Sequence, residues 1–287
     1  MHQNKTNGLD HKNKKHTICY KYKISSFINN NRDLYMLKKI VLVTALLGTF
    51  GLSHAYQTEV GGNLIYIDPD QGDSAIGFGL DGTYYFNPVQ VKNAPFNEAA
   101  FLNRASNVNG GFAYISNDDI DTTSLGAGVE LFVPNSDFYI SADISHNETE
   151  VELGPVTAES DLTTYGAEVG YLPVPGLLLA AGLRGWDNDN DDGVDPTLRA
   201  KYVAPLAGND INLEAYFGLG DLDEFSLRGD YYFDKTFSIG VDYYDNDVYD
   251  EFGINAKKFF SPQMSLEGRI GLGDDEDSFS VRAAYRF

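Results

Sequence analysis

Residues 76–86 read Ile76-Gly-Phe-Gly-Leu-Asp-Gly-Thr-Tyr-Tyr-Phe86. Ile76, Phe78, Leu80, Tyr84 and Phe86 share one parity, while Gly77, Gly79, Asp81 and Thr83 share the other. Alternation with period two is the mark of a strand with one apolar and one polar face, and helical spacing does not fit it. The same pattern returns at 225–233, where Phe225, Leu227, Tyr231 and Phe233 oppose Ser226, Arg228, Asp230 and Tyr232. It returns again at 237–243 and at 279–287.

Working outward gives fourteen alternating segments: 56–67, 74–86, 106–115, 123–133, 138–146, 162–172, 177–186, 196–204, 211–218, 224–233, 236–244, 251–260, 264–272 and 278–287. Their length, near ten residues, and their even number fit a closed antiparallel barrel that spans a membrane with tilted strands. The fold class expected is therefore all-β, an up-and-down transmembrane β-barrel of about fourteen strands.

The connections test the count independently, because alternating strand directions must sort them onto two sides. One set is short and marked by Pro or Gly, as in Pro134-Asn-Ser-Asp137, Pro173-Val-Pro-Gly176 and Ser261-Pro-Gln263. The other set (68–73, 116–122, 147–161, 187–195, 219–223, 245–250 and 273–277) is longer, acidic and devoid of Lys and Arg. Short turns on the periplasmic side and long loops outside are what such barrels show. The stretch 87–105 breaks the rule, placing 19 residues on the short-turn side. Its segment from Asn97 reads as one or two helical turns with Asn97 as the N-cap. Two readings stand for it: an Ω-loop packed on the periplasmic rim, or a fold into the lumen mouth that restricts it through Pro95, Phe96, Phe101 and Leu102.

The whole chain has 287 residues and a formal net charge of −21. Phosphate binding needs a basic face, so nucleic acid is not an expected partner. Residues 36–39 (Met-Leu-Lys-Lys), the apolar run 40–52 and Ser53-His54-Ala55 form the three regions of a secretory signal. We expect a signal peptide over 36–55 with cleavage after Ala55. Residues 1–35 are basic and aperiodic; they read as an upstream mis-start of translation or, alternatively, a genuine leader extension. The remaining 56–287 would form the barrel with 12 basic and 40 acidic residues, no Cys and one His, His146. That leaves few parts for nucleophilic or general-base chemistry, so no enzyme, no catalytic residue, no cofactor and no metal site are expected. The run Asp187–Gly193 resembles the start of a calcium loop, but position twelve falls on Arg199, and the motif fails. Loose divalent-cation binding shared with lipopolysaccharide stands beside a plain solvated acidic surface.

A barrel of eight strands is already filled by its own side chains. One of fourteen cannot fill its interior with the apolar face, so that face must meet lipid and the polar face must line water. Aromatic residues at the ends of the outward sets, such as Tyr66, Phe138, Tyr171, Phe233 and Phe279, match interfacial girdles. The segment Tyr56-Gln-Thr-Glu-Val, Gly82-Thr-Tyr-Tyr-Phe86 and the insert Asn97-Glu-Ala-Ala-Phe-Leu-Asn-Arg-Ala-Ser106 resemble the putative general bacterial porins, small Gram-negative barrels of Acinetobacter-like bacteria. The resemblance covers 56–287 in layout, and the basic stretch before Met36 departs from it. It implies a fourteen-strand outer-membrane channel for small solutes.

On the inward parity the first six strands supply Glu59, Asp81, Glu130, Asp143 and Glu168, an acidic wall. The last eight supply Arg184, Arg199, Lys201, Arg228, Lys257, Arg269 and Arg282, with Arg286, against Glu214, Asp230, Asp242 and Glu267. Opposed walls set a transverse field across a pore; cross-strand ion pairing that stiffens the barrel is the other reading. The function expected is an outer-membrane porin passing small hydrophilic solutes, with cations and zwitterions favoured by the acidic loops. A closed or plugged barrel with a structural, adhesive or surface role is the alternative. The expected partners are outer-membrane lipid and lipopolysaccharide, the solutes, and the barrel-assembly machinery through the C-terminal strand ending in Phe287.

Overall fold

The computed structural model describes residues 55–188, 191–220, 223–246 and 249–287. The leader extension and the signal segment through residue 54 lie outside the described residues. The strands are β1 (Ala55–Pro69), β2 (Ala75–Gln90), β3 (Asn107–Ser116), β4 (Ile120–Phe132), β5 (Phe138–Leu153), β6 (Val156–Val174) and β7 (Leu177–Asn188). They continue as β8 (Asp192–Leu206), β9 (Asn209–Gly218), β10 (Phe225–Asp234), β11 (Phe237–Asp245), β12 (Asp250–Phe259), β13 (Met264–Gly273) and β14 (Glu276–Arg286). Each pairs antiparallel with its chain neighbours, and β1 pairs with β14 from Glu59↔Arg286 to Pro69↔Glu276, so the sheet closes as a barrel. The fourteen strands are those the alternation predicts, their ends within four residues of expectation except where β5 and β6 run on towards each other.

Burial is inverted relative to a water-soluble protein. Ile76 is 66 % exposed and Val169 61 %, whereas Asn212, Asn255 and Thr197 on the opposite parity are 1–2 % exposed. Large apolar side chains project from the outer wall of every strand, and the inner wall carries Gly, amide, hydroxyl and charged groups. Burying one such apolar side chain is worth about 1.5–3 kcal/mol, and an apolar surface this continuous has only hydrocarbon to be buried in. Tyr84 packs on Phe86, Phe138 on Tyr171 and Phe233 on Phe237, in aromatic pairs of the outer face near the turn end.

Two expectations need correction. The connection 147–161 is not an open loop: β5 and β6 pair on to Leu153↔Val156, turning at Gly154 with φ +70°. The β-branched Thr149, Val151, Val156 and Thr157 favour the ladder. The like charges facing each other there (Glu148↔Asp161 and Glu150↔Glu159) stand in water, where screening keeps their repulsion small. This hairpin outruns β7, whose last partner on β6 is Leu162. Within 87–105, Phe96–Glu98 forms one 3-10 turn, followed by the short helix α1 (Ala99–Leu102). Asn97 is inside the turn rather than its N-cap; Pro95 holds the cap position and no side chain caps it. Proline's fixed φ starts the turn without a capping side chain, which frees Asn97 for a contact across the barrel.

Val169 and Val156 are equally exposed, at 61 %, yet the first lies on the barrel's outer wall and the second on the projecting hairpin. In urea unfolding of the protein in phospholipid vesicles, Val169→Arg should cost roughly 2–4 kcal/mol, and Val156→Arg no more than about 0.5 kcal/mol.

Candidate pore and its constriction

The inward parity of each strand can be followed by register. Asp81 lies level with Gly61, Glu168 with Gly182, and Asp242 with Gly253. At each of these places an acid on one strand meets a base two strands away, across the glycine of the strand between. Arg282 Nε donates to Asp81 at 2.9 Å over Gly61. Arg199 pairs with Glu168 at 2.8 Å over Gly182. Arg269 pairs with Asp242 over Gly253. A Cβ on Gly61 or on Gly253 would strike both members of its pair, and one on Gly182 would strike Glu168. Glycine on the middle strand is therefore what lets side chains lie flat across three strands.

All the charged residues predicted from the inward parity lie on the lumen side, but not as two separate walls. Closure brings β14 beside β1, so Arg282 and Arg286 meet Glu59 at 3.1 and 2.6 Å. Lys201 pairs with Glu214 at 2.6 Å, Arg228 with Asp230 at 2.9 Å, and Lys257 with Glu267 at 3.1 Å. Arg184 has Glu224 as an ion-pair partner, at 3.8 Å, and a hydrogen bond with Tyr216. On the acidic side Glu130 accepts from the Tyr139 hydroxyl at 2.6 Å and from Asn107 at 2.8 Å. Among the described residues no side-chain hydrogen bond and no ion pair within 4 Å reaches the Asp143 carboxylate, which Arg184 attracts only from a distance. The bases are thus matched by carboxylates, and the unmatched charge that remains is negative.

The insert 87–105 folds into the turn end of the lumen. Phe96 N–H donates to the Lys235 carbonyl, and Arg286 Nη1 donates to the Phe96 carbonyl at 2.9 Å. The Arg286 guanidinium is itself stacked between the rings of Tyr56 and Phe259, 4.5 Å from each centroid. Phe96 meets Phe259 edge-on, and Phe101 packs against Phe132 and the cluster of Tyr139, Leu172 and Leu178. Pro95 is fully buried, and Leu102 lies near Gly176 in the β6–β7 turn. The segment makes both kinds of contact: Phe96, Glu98 and Phe101 meet inward side chains, while Arg104 holds the β4–β5 turn at Ser136 and Asp137. A cavity of about 510 Å³ remains beside it, lined by Tyr85, Glu98, Phe101, Arg228 and Lys257 among others.

The residue that sequence reasoning missed here is Glu98. It is 2 % exposed, pairs with Lys201 at 2.9 Å and accepts from the Tyr232 hydroxyl at 2.6 Å, while Asn97 Nδ2 also reaches that hydroxyl. Glu251, which pairs with Arg269 at 2.5 Å, was missed too, although its parity with Gly253, Asn255 and Lys257 marks it as inward. Nothing in the local sequence announces Glu98, whose partners lie on β8 and β10.

A closed barrel with an apolar outer wall and a charged inner wall defines the class: an outer-membrane β-barrel channel. The model of a family described as putative general bacterial porin matches residues 32–193, more than half of the chain, and the chain belongs to that family. Among solved structures it is similar to the outer membrane protein Omp33 of Acinetobacter baumannii, at 26 % identity and a TM-score of 0.61, covering 82 % of this chain and 99 % of that one. The toluene transporter TodX of P. putida shares 10 % identity with a TM-score of 0.46, covering 82 % and 91 %. No curated protein sequence matches it. The protein is an outer-membrane porin, a passive diffusion channel.

Removing one partner of a buried ion pair costs roughly 3–5 kcal/mol, so Glu98→Ala should loosen the insert. The chain carries no Cys after Cys19, and a reporter thiol at Ala100→Cys, beside the cavity, can be titrated with a water-soluble methanethiosulfonate. Its reaction rate should rise at least tenfold when Glu98→Ala is added; an unchanged rate would show that other contacts hold the insert.

Proposed function

We propose that this porin passes small hydrophilic solutes with a preference for cations and zwitterions, and that the 87–105 insert sets its narrowest point. The observation that carries this reading is the charge balance of the lumen. Every inward Lys and Arg named above has a carboxylate within 4 Å, while Glu130 and Asp143 have no Lys or Arg that close and meet Arg199 and Arg184 only at longer range. A negative residue of charge in a confined aqueous path attracts cations and repels anions. The acidic loops at the other end, which hold no Lys or Arg, add to it. Glu59, Asp81 and Glu168 then act as paired, stiffening groups, and the transverse field of two bare walls is confined to the β4–β7 side.

Four further parts of the reading rest on the sequence. Export uses the signal over 36–55, with Tyr56 as the mature N-terminus, and residues 1–35 are not part of the product. The C-terminal strand engages the barrel-assembly machinery. The acidic loops stand among lipopolysaccharide headgroups. Pro95, Phe96, Phe101 and Leu102 act as packing that holds the insert across the lumen rather than as a surface touched by solute. A plugged barrel with a surface role is the second reading, favoured by the number of strands the insert touches.

Protein extracted from the outer membrane, placed in a planar bilayer under a salt gradient, should give discrete steps with a cation-selective reversal potential. Deleting 91–104 should raise the step size at least twofold. Silence from the intact protein together with steps from the deletion would make the insert a plug, and an anion-selective reversal would contradict the charge argument. The intact mass of the same preparation should place the N-terminus at Tyr56.

A further inference from the structure

The three-strand arrangement of acid, glycine and base occurs once more, and there it stands open. Asp143 on β5 is level with Gly166 on β6, which is level with Arg184 on β7. Strands two apart are separated by about 10 Å, the span that Asp81–Arg282, Glu168–Arg199 and Asp242–Arg269 close directly. Asp143 leans over Gly166, its Oδ1 only 2.8 Å from where a Cβ would stand. Arg184 makes no ion pair with it within 4 Å and attracts it only from a distance: the guanidinium turns towards Glu224 at 3.8 Å, at the outer limit of an ion pair, and hydrogen-bonds Tyr216. Arg184 is 32 % exposed and Asp143 is exposed, both into the lumen. Asp143 and Tyr216 also border a cavity of about 240 Å³, together with Glu130, Glu168 and Arg199; Arg184 stands outside its lining, so the cavity belongs to the Asp143 end of the gap. That volume is below the range of pockets for drug-sized ligands and suits a solute of a few heavy atoms.

Resting on the porin reading, we infer that Asp143 and Arg184 form a subsite for small zwitterions, which bridge the open gap over Gly166. The ammonium end of an amino-acid-like solute meets the Asp143 carboxylate, and its carboxylate meets the Arg184 guanidinium. Glu168 and Arg199 are already committed to each other at 2.8 Å, so the one neighbouring charge that the solute's carboxylate must displace from Arg184 is Glu224, held only at 3.8 Å. The solute supplies the two charges that a direct ion pair supplies at the other three places. An arginine carries the anionic end well because its planar fork matches a carboxylate. Binding here is a way station, and its strength must stay low enough for the solute to leave.

The test is swelling of proteoliposomes containing the purified protein, in isosmotic L-serine and in isosmotic erythritol, a neutral solute of similar size. The readout is the ratio of the two rates, in which changes of pore width cancel. The wild-type ratio should exceed one. Asp143→Asn and Arg184→Gln should each lower it at least threefold, the double substitution should lower it no further than the more severe single one, and Asp143→Glu should retain most of it. A ratio unchanged by both single substitutions would overturn the subsite and leave the porin reading intact. Passage of neither solute through the wild-type protein would overturn the channel reading and the subsite with it.

Discussion

Hydrocarbon offers no partner to a peptide N–H or C=O, and each unmet group there costs several kcal/mol. The pairing of β1 with β14 is where this barrel meets that demand last, through eleven residue pairs from Glu59↔Arg286 to Pro69↔Glu276. Without closure two strand edges would lie open in lipid. With it, the outer wall need only be apolar, and the polar half of the alternation is forced onto a lumen too wide for its own side chains to fill. The direction of every side chain discussed above follows from that one requirement.

An interior lined with charge then has to be kept from costing more than the fold can bear. The barrel does this with glycine on middle strands, at Gly61, Gly182 and Gly253, over which long side chains lie flat and pair. Such pairs contribute little net stability, since desolvation offsets most of the attraction, but they fix the geometry of the lumen wall. The insert uses the same device from within. Glu98 joins Lys201 and Tyr232, and the Phe96 carbonyl joins Arg286. The segment is thereby tied to β8, β10 and β14, none of which pairs through its backbone with the insert's own neighbours β2 and β3.

Strand parity was legible because period two is a local property: Ile76, Phe78 and Leu80 declare their face without reference to any partner. The sorting of short and acidic connections likewise needs only the strand count. The β5–β6 extension was not legible, because Glu148, Glu150, Glu152 and Glu159 read as a solvated loop when their ladder partners are unknown. The closed pairs escaped for a related reason. Asp81 and Arg282 lie 201 residues apart, and only register shows that the base sits diagonally across from the acid. Glu98 lies 134 residues from Tyr232, and its fragment of sequence looks like any short helical start. Local pattern therefore yielded the faces, whereas the contacts across the lumen required the closed sheet.

The claim on which all of this rests is that the apolar parity faces lipid and the polar parity faces a water-filled lumen. Nitroxide labels placed singly at 252–257 on β12, with the protein in lipid vesicles, test it by power-saturation accessibility. Positions 252, 254 and 256 should favour oxygen, which partitions into lipid, and positions 253, 255 and 257 should favour a water-soluble nickel chelate. The opposite phase, or no alternation at all, would contradict the account.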